Sequence, residues 1–231
     1  VLRVNYLQEL SNIKSSIINM GDKTTTSVLS AVESFITNDT EAALRSRRFE
    51  KEVDRMFSSI DEQCITTIAT QQPAATDLRF LISSIKIAGE IERVADYANN
   101  IAKIVQKKFP RIEGNAVRLL APRIKRLGNL ATQMLTDAIH AYRTNDANLA
   151  SQVWGQDAAV NQLNKTLLQD LVLINTTNIN QQEVLADYNV TIRYIERVAD
   201  RATNIAEAVF YIATGYSMRD RKEGNLTAYI C

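Results

Sequence analysis

The chain has 231 residues, 45% of them hydrophobic and 23% charged, with 27 Lys and Arg against 26 Asp and Glu. A net charge of +1 gives no bulk attraction to nucleic acid or anionic lipid. With no run of about 18 apolar residues, at most a peripheral membrane association is expected, and the apolar content excludes a disordered chain. Seven Gly and three Pro are too few for a many-turned β protein and leave room for long helices.

In chain order, apolar periodicity and its punctuation predict six helices, at about 3–36, 39–70, 73–109, 118–143, 146–176 and 180–214. Asn38 with Glu41 three residues on reads as an N-cap and capping-box acid opening the second helix. Along that helix Phe49, Val53, Met56, Ile60 and Cys64 share one side. Pro73 fits the first turn of the third helix, where a missing N–H costs nothing. There Phe80, Ile87, Ile91, Ala95, Ala98, Ala102 and Val105 form the apolar stripe. Pro110 and Gly114 read as a linker, and Pro122 as the start of the fourth helix. Asn145-Asp146, and Asn180 with Glu183, supply the N-termini of the fifth and sixth. Short connections favour antiparallel neighbours, so the expected fold is all-α: two three-helix bundles over residues 1–112 and 113–216, then a charged tail over 217–231.

Two cysteines, Cys64 in a helical pattern and Cys231 at the last position, give no disulfide framework. With no secretory signal and no apolar run of about 18 residues, a cytoplasmic protein is expected. The lone His140 has no nucleophile pattern around it and reads as structural.

The second half copies the first. Met20-Gly21 corresponds to Leu127-Gly128, Ala31 to Ala138, and Thr37-Asn38-Asp39 to Thr144-Asn145-Asp146, all at a spacing of 107. Beyond the second helix of each unit the spacing falls to 104, as a shortened connection would leave it. There Ile91-Glu92-Arg93-Val94-Ala95-Asp96 equals Ile195-Glu196-Arg197-Val198-Ala199-Asp200, and Asn100-Ile101-Ala102 equals Asn204-Ile205-Ala206. Unrelated helices share apolar patterns, but here the polar residues match too.

The chemistry-bearing residues are carboxylates spaced by four: Glu92 with Asp96, Glu196 with Asp200, and Glu50 with Asp54. The counterpart of the last pair is Asp157 with Asn161. Like charges one turn apart repel by about 0.2–0.5 kcal/mol, so isolated pairs ordinarily sit on a solvated face, neutralised by arginines such as Arg55, Arg93 and Arg197. One helical turn also aims two oxygens at a common point, which suits a hard cation. Glu92 and Asp96 fall about a third of a turn from the apolar centre of their helix, and Glu50 and Asp54 on the shoulder of theirs. Two such rows on adjacent helices would face across a groove, with Asn100 and Asn204 extending them. The lack of accompanying Cys or His argues against soft metals, and the lack of Glu-x-x-His against a di-iron redox bundle.

On these residues the chain resembles the PhoU family of bacterial phosphate-signalling regulators. The similar segments are Gln71-Gln72-Pro73 with Asp77-Leu78-Arg79, then Glu92-Arg93-Val94-Ala95-Asp96 to Asn100-Ile101-Ala102, and the second copy from Ile195 to Glu207. The likeness spans about residues 3–215. It implies two similar three-helix bundles whose Glu/Asp-x-x-x-Asp motifs hold iron clusters or other metal ions in some members, with Fe, Mn, Mg and Ca all compatible here. It implies restraint of the phosphate-starvation response through a phosphate-specific transporter ATPase and a sensor histidine kinase, often as a homodimer, and no catalysis. By motif match the metal ligands would be Glu50, Asp54, Glu92, Asp96, Asp157, Glu196 and Asp200, with Asn100, Asn161 and Asn204 in support. Two departures stand out. Ala95 and Ala199 replace the glycine usual before the motif aspartate, and Asn161 replaces the aspartate that would complete the fourth pair. A metal-dependent hydrolase or oxygen-reactive enzyme using the same carboxylates is the rival expectation; it would need a substrate pocket and a general base beside the metal.

Overall fold

The structure is a computed structural model and describes residues 2–106, 115–174 and 178–218. The described residues form six helices: α1 (Leu2–Thr37), α2 (Thr40–Gln71), α3 (Ala75–Gln106), α4 (Asn115–Thr144), α5 (Ala147–Val172) and α6 (Ile179–Thr214). The expected linker at Pro110 and Gly114 and the tail from Arg219 lie outside the described residues.

The helix ends correct four readings. Asn38 is not the N-cap of α2. It adopts a left-handed φ of 59°, and Asp39 caps the helix by accepting from the N–H groups of Glu41 and Ala42. The second repeat does the same, with Asn145 at φ 56° and Asp146 accepting from Asn148 and Leu149. In both, the aspartate N–H returns to a carbonyl five residues back, Ser34 or Ala141, the C-terminal motif that asparagine permits because it tolerates positive φ. Pro73 precedes α3 rather than opening its first turn, and Pro122 lies inside α4, which begins at Asn115. Asn180 falls within the first turn of α6, whose helix begins at Ile179. Proline marks a helix start only weakly, because it also fits just ahead of a helix and its fixed φ is helical, so an interior can hold it at the cost of a backbone hydrogen bond.

Helices α1–α3 pack on one another, as do α4–α6, and the two bundles meet through α1 with α4 and α3 with α6. The predicted stripes face inward: Val53, Ile60 and Cys64 of α2 are buried, as are Ile87, Ile91, Ala95, Ala98, Ala102 and Val105 of α3. They join one core running through both halves. Fully burying an Ile or Met is worth about 1.5–3 kcal/mol, so side chains such as Ile13, Ile17 and Met20 bind α1 to its neighbours. His140 is exposed.

The α1–α4 contact is isologous. A Cβ on Gly21 would lie 2.6 Å from Cδ1 of Ile139, and one on Gly128 would lie 2.6 Å from Cγ1 of Val32. Gly21 and Gly128 are repeat equivalents, and so are Val32 and Ile139, so each glycine receives the other's partner. Helix backbones approach this closely only where no side chain intervenes.

Candidate functional site

The third helix of each bundle presents its acidic row towards the second. Glu92 and Asp96 are half-buried on α3, Glu50 is half-buried and Asp54 exposed on α2. Burial pushes the Glu92 carboxyl above its ordinary range, and the negative charges of Asp96, Asp54 and Glu50 push in the same direction against the opposing pull of Arg93. The α2 carboxylates therefore lie within electrostatic reach of Glu92 on α3. The second bundle repeats this. Glu196 is raised by burial, then by Asp200 and Asp157, and Asp200 is raised by burial and by Asp157. Glu196, Asp200 and Asp157 are half-buried and Asn161 exposed.

Neighbours compensate the two rows differently. In the first, the Arg93 guanidinium bridges the row, with Nε 3.5 Å from Glu92 Oε2 and Nη1 3.7 Å from Asp96 Oδ2. In the second, Asn161 Nδ2 donates to Asp157 Oδ2 at 2.7 Å, so the replaced aspartate has become a neutral donor that occupies its neighbour's oxygen. The other oxygen, Asp157 Oδ1, is buried without a partner. Among the supporting residues, Asn100 Oδ1 accepts from Lys103 at 3.4 Å, whereas Asn204 lines a groove between α3 and α6. Among the described residues no three Asp, Glu, His or Cys side chains are gathered closely enough to cage an ion. The donor chemistry nevertheless fits a hard cation: half-buried carboxylates on Glu92, Glu196 and Asp200 whose ionisation neighbouring acids oppose, and one orphaned oxygen on Asp157. Which residues would hold such an ion is set by the facing of the rows, and their closure would need side-chain rotation.

Solved structures share this arrangement of helices, and the sequence has relatives over most of its length. A PhoU domain family model matches residues 17–105 and again 124–209. The chain belongs to the PhoU family. The phosphate-specific transport system accessory protein PhoU homologue of Pseudomonas putida is 30% identical over 222 residues, covering 96% of this chain and 86% of that protein. The Escherichia coli accessory protein PhoU is 28% identical over 211 residues, covering 91% of this chain and 86% of that protein. The crystal structure of PhoU from Pseudomonas aeruginosa superposes with a TM-score of 0.83 at 29% identity, covering 91% of this chain and all of the other. That of the PhoU regulatory protein from Streptococcus pneumoniae gives 0.78 at 24% identity over 92% of this chain and 99% of the other, a likeness of fold.

Sequence reasoning missed the seam that joins the two PhoU repeats at α3 and α6. Arg201 Nη1 donates to Glu90 Oε2 at 3.1 Å, and the Tyr97 and Tyr194 rings stack with centroids 5.7 Å apart. Glu90 and Tyr194 are repeat equivalents, as are Tyr97 and Arg201, so the two crossings are the same contact made twice with different chemistry. The signal was present as a mismatch: at the spacing of 104, positions flanking the identical hexapeptide diverge to residues of opposite character. Trp154 of α5, whose indole N–H donates to Glu207 Oε1 at 3.1 Å, carried no such signal.

Proposed function

We propose that this chain restrains the phosphate-starvation response from the cytoplasm, docking as a homodimer on a phosphate-specific transporter ATPase and on a sensor histidine kinase. Metal ions of the Fe, Mn, Mg or Ca kind bind the acidic rows: Glu50, Asp54, Glu92 and Asp96 on the first bundle, and Asp157, Glu196 and Asp200 on the second. Relatives named as accessory proteins of phosphate-specific transport support the transporter partnership. No helix among the described residues is long and apolar enough to cross a membrane, which suits a protein that docks rather than spans.

The metal reading is carried by one observation: half-buried Glu92 and Glu196 lie near enough to carboxylates of the adjacent helix, Asp54 and Glu50 for the first and Asp157 for the second, that these add to burial in raising their affinity for protons. A bound cation supplies the positive charge that this crowding lacks and ties the second helix of a bundle to the third. Glu92 and Glu196 are the half-buried anchors, and Asp54 is the exposed entry ligand. No covalent step is assigned to any residue.

Deleting the gene raises alkaline phosphatase in phosphate-rich medium, and unchanged expression would count against the regulatory role. Elemental analysis of protein purified without chelators separates out the metal reading: the Glu92→Gln/Asp96→Asn double variant carries less metal than the parent. Equal content in both removes the site.

A further inference from the structure

The α3–α6 seam encloses more than a contact. On the side of the Glu90–Arg201 crossing lies a groove of about 600 Å³, within the range that holds small ligands. One wall is an α3 stripe of Ser83, Lys86, Glu90 and Arg93, at steps of three and four. The facing wall is an α6 stripe of Arg201, Asn204, Ala208 and Tyr211, with identical steps. The helices run antiparallel here, since Glu90 meets Arg201 while Arg79 lies 5.3 Å over the Tyr211 ring. Phe57 of α2, Ile85 and Met218 give the groove apolar ends.

Gly89 opens the groove. It lines the floor, and a Cβ there would meet only Phe57 Cε2 at 3.8 Å. Its repeat equivalent is Arg193, and the equivalents of Ser83 and Lys86 are Asp187 and Val190. The groove's chemistry is therefore particular to one repeat and is not inherited from the duplication.

Charge commits the ligand class. Three acids line the groove, and each is already engaged: Glu90 by Arg201, Glu92 by Arg93 and Glu207 by Trp154. Of the three lining cations, Arg201 and Arg93 are the partners in those pairs, and Lys86 has no partner among the described residues. One turn away, Ser83 is 2% exposed, and its hydroxyl has no hydrogen-bond partner among the described residues. A free hydroxyl and a free ammonium at i and i+3, in a groove with apolar ends, recognise one negative charge on an apolar body.

We propose that this groove is a binding site for a small organic monoanion, with a carboxylate held by Lys86 and Ser83 and an apolar body against Phe57, Ile85 and Met218. The groove shares Glu92 and Arg93 with the first acidic row, but the residues that hold the ligand, Lys86 and Ser83, lie outside that row, and the proposal does not rest on the regulatory reading. It predicts that the full chain binds phenylacetate, a probe of about ten non-hydrogen atoms, saturably with one-to-one stoichiometry and millimolar affinity. Phenethyl alcohol, the neutral analogue, and inorganic phosphate, which has no apolar body, bind at least tenfold more weakly. Lys86→Met weakens phenylacetate about tenfold, and Gly89→Leu, which fills the floor, abolishes saturable binding. Both positions are at or near the surface, and melting curves verify that the variants fold. Calorimetric titration reads each outcome. Absence of saturation with phenylacetate, phenethyl alcohol binding as tightly, or affinity indifferent to either substitution overturns the proposal.

Discussion

The two seams between the repeats have diverged to different extents. Along α1 and α4 the contact is the same on both sides, Gly21 against Ile139 and Gly128 against Val32. Along α3 and α6 it is an ion pair on one side and an aromatic stack on the other. The difference follows from what fills each interface. Where backbones nearly touch, only hydrogen fits, and both copies must keep it. Where long side chains span the gap, any pair of compatible length and character serves, and the copies are free to differ. The groove beside Gly89 is a product of that freedom.

The largest effect is expected at the close seam. Gly128→Ala places a methyl 2.6 Å from Cγ1 of Val32, a β-branched side chain with little rotamer freedom. Overpacking of this kind costs about 1–3 kcal/mol and outweighs the helical gain of about 1 kcal/mol, lowering Tm by several degrees. Gly21→Ala meets buried, β-branched Ile139 at Cδ1 (2.6 Å), Cγ1 (2.8 Å) and Cγ2 (3.1 Å), so a loss of similar size is expected there, and thermal denaturation compares the two positions. A Gly128→Ala protein as stable as the parent breaks the account of the seam.

The open seam is tested by exchange. Arg201→Tyr alone strands the Glu90 carboxylate, which is 25% exposed, and destabilises by about 1–2 kcal/mol. Adding Glu90→Tyr places at this crossing the residue pair that the other already uses, and recovers part of the loss. A double-mutant cycle on chemical denaturation measures the coupling; additivity of the two changes sinks the equivalence of the crossings.

Smaller changes are expected at the acidic rows. Asn161→Asp removes the donor to Asp157 Oδ2 and adds a like charge one turn away, costing a few tenths of a kcal/mol (~0.2–0.5) in metal-free protein. Added Mn or Mg raises the Tm of that variant more than that of the parent; an equal rise in both argues that the second row binds neither ion. The smallest effect is Glu92→Gln. A carboxyl whose folded value is raised holds its proton more tightly in the native state, so it disfavours folding at neutral pH. That penalty is lost as pH falls through the raised folded value towards the ordinary carboxylate range. Metal-free Glu92→Gln therefore melts about one or two degrees higher at pH 7 and level with the parent in the acid range. A gain that persists at low pH would assign the effect to packing.

Much of this was legible before any coordinates. The helix count, their bounds to a few residues and the buried stripes followed from a period that each helix carries in its own residues. The candidate ligands followed from spacing and duplication. The end signals were less legible, because Asn38 and Asp39 are both good capping residues and only the left-handed φ of Asn38 assigns each its place. The neutralisation of the first row by Arg93 was among the options that the sequence allowed, whereas the bond from Asn161 to Asp157 was not anticipated.

By itself the sequence determined a helical, duplicated PhoU chain and the turn-by-turn placement of its carboxylates, since 3.6 residues per turn fixes what shares a face. Tertiary structure alone decided which faces meet: that Glu90 finds Arg201, that Gly21 receives Ile139, and that Gly89 leaves a groove with Lys86 on its wall. Glu90 and Arg201, Gly21 and Ile139, and the two walls of the groove are each more than a hundred residues apart, and their meeting depends on how helices cross, which no local period encodes.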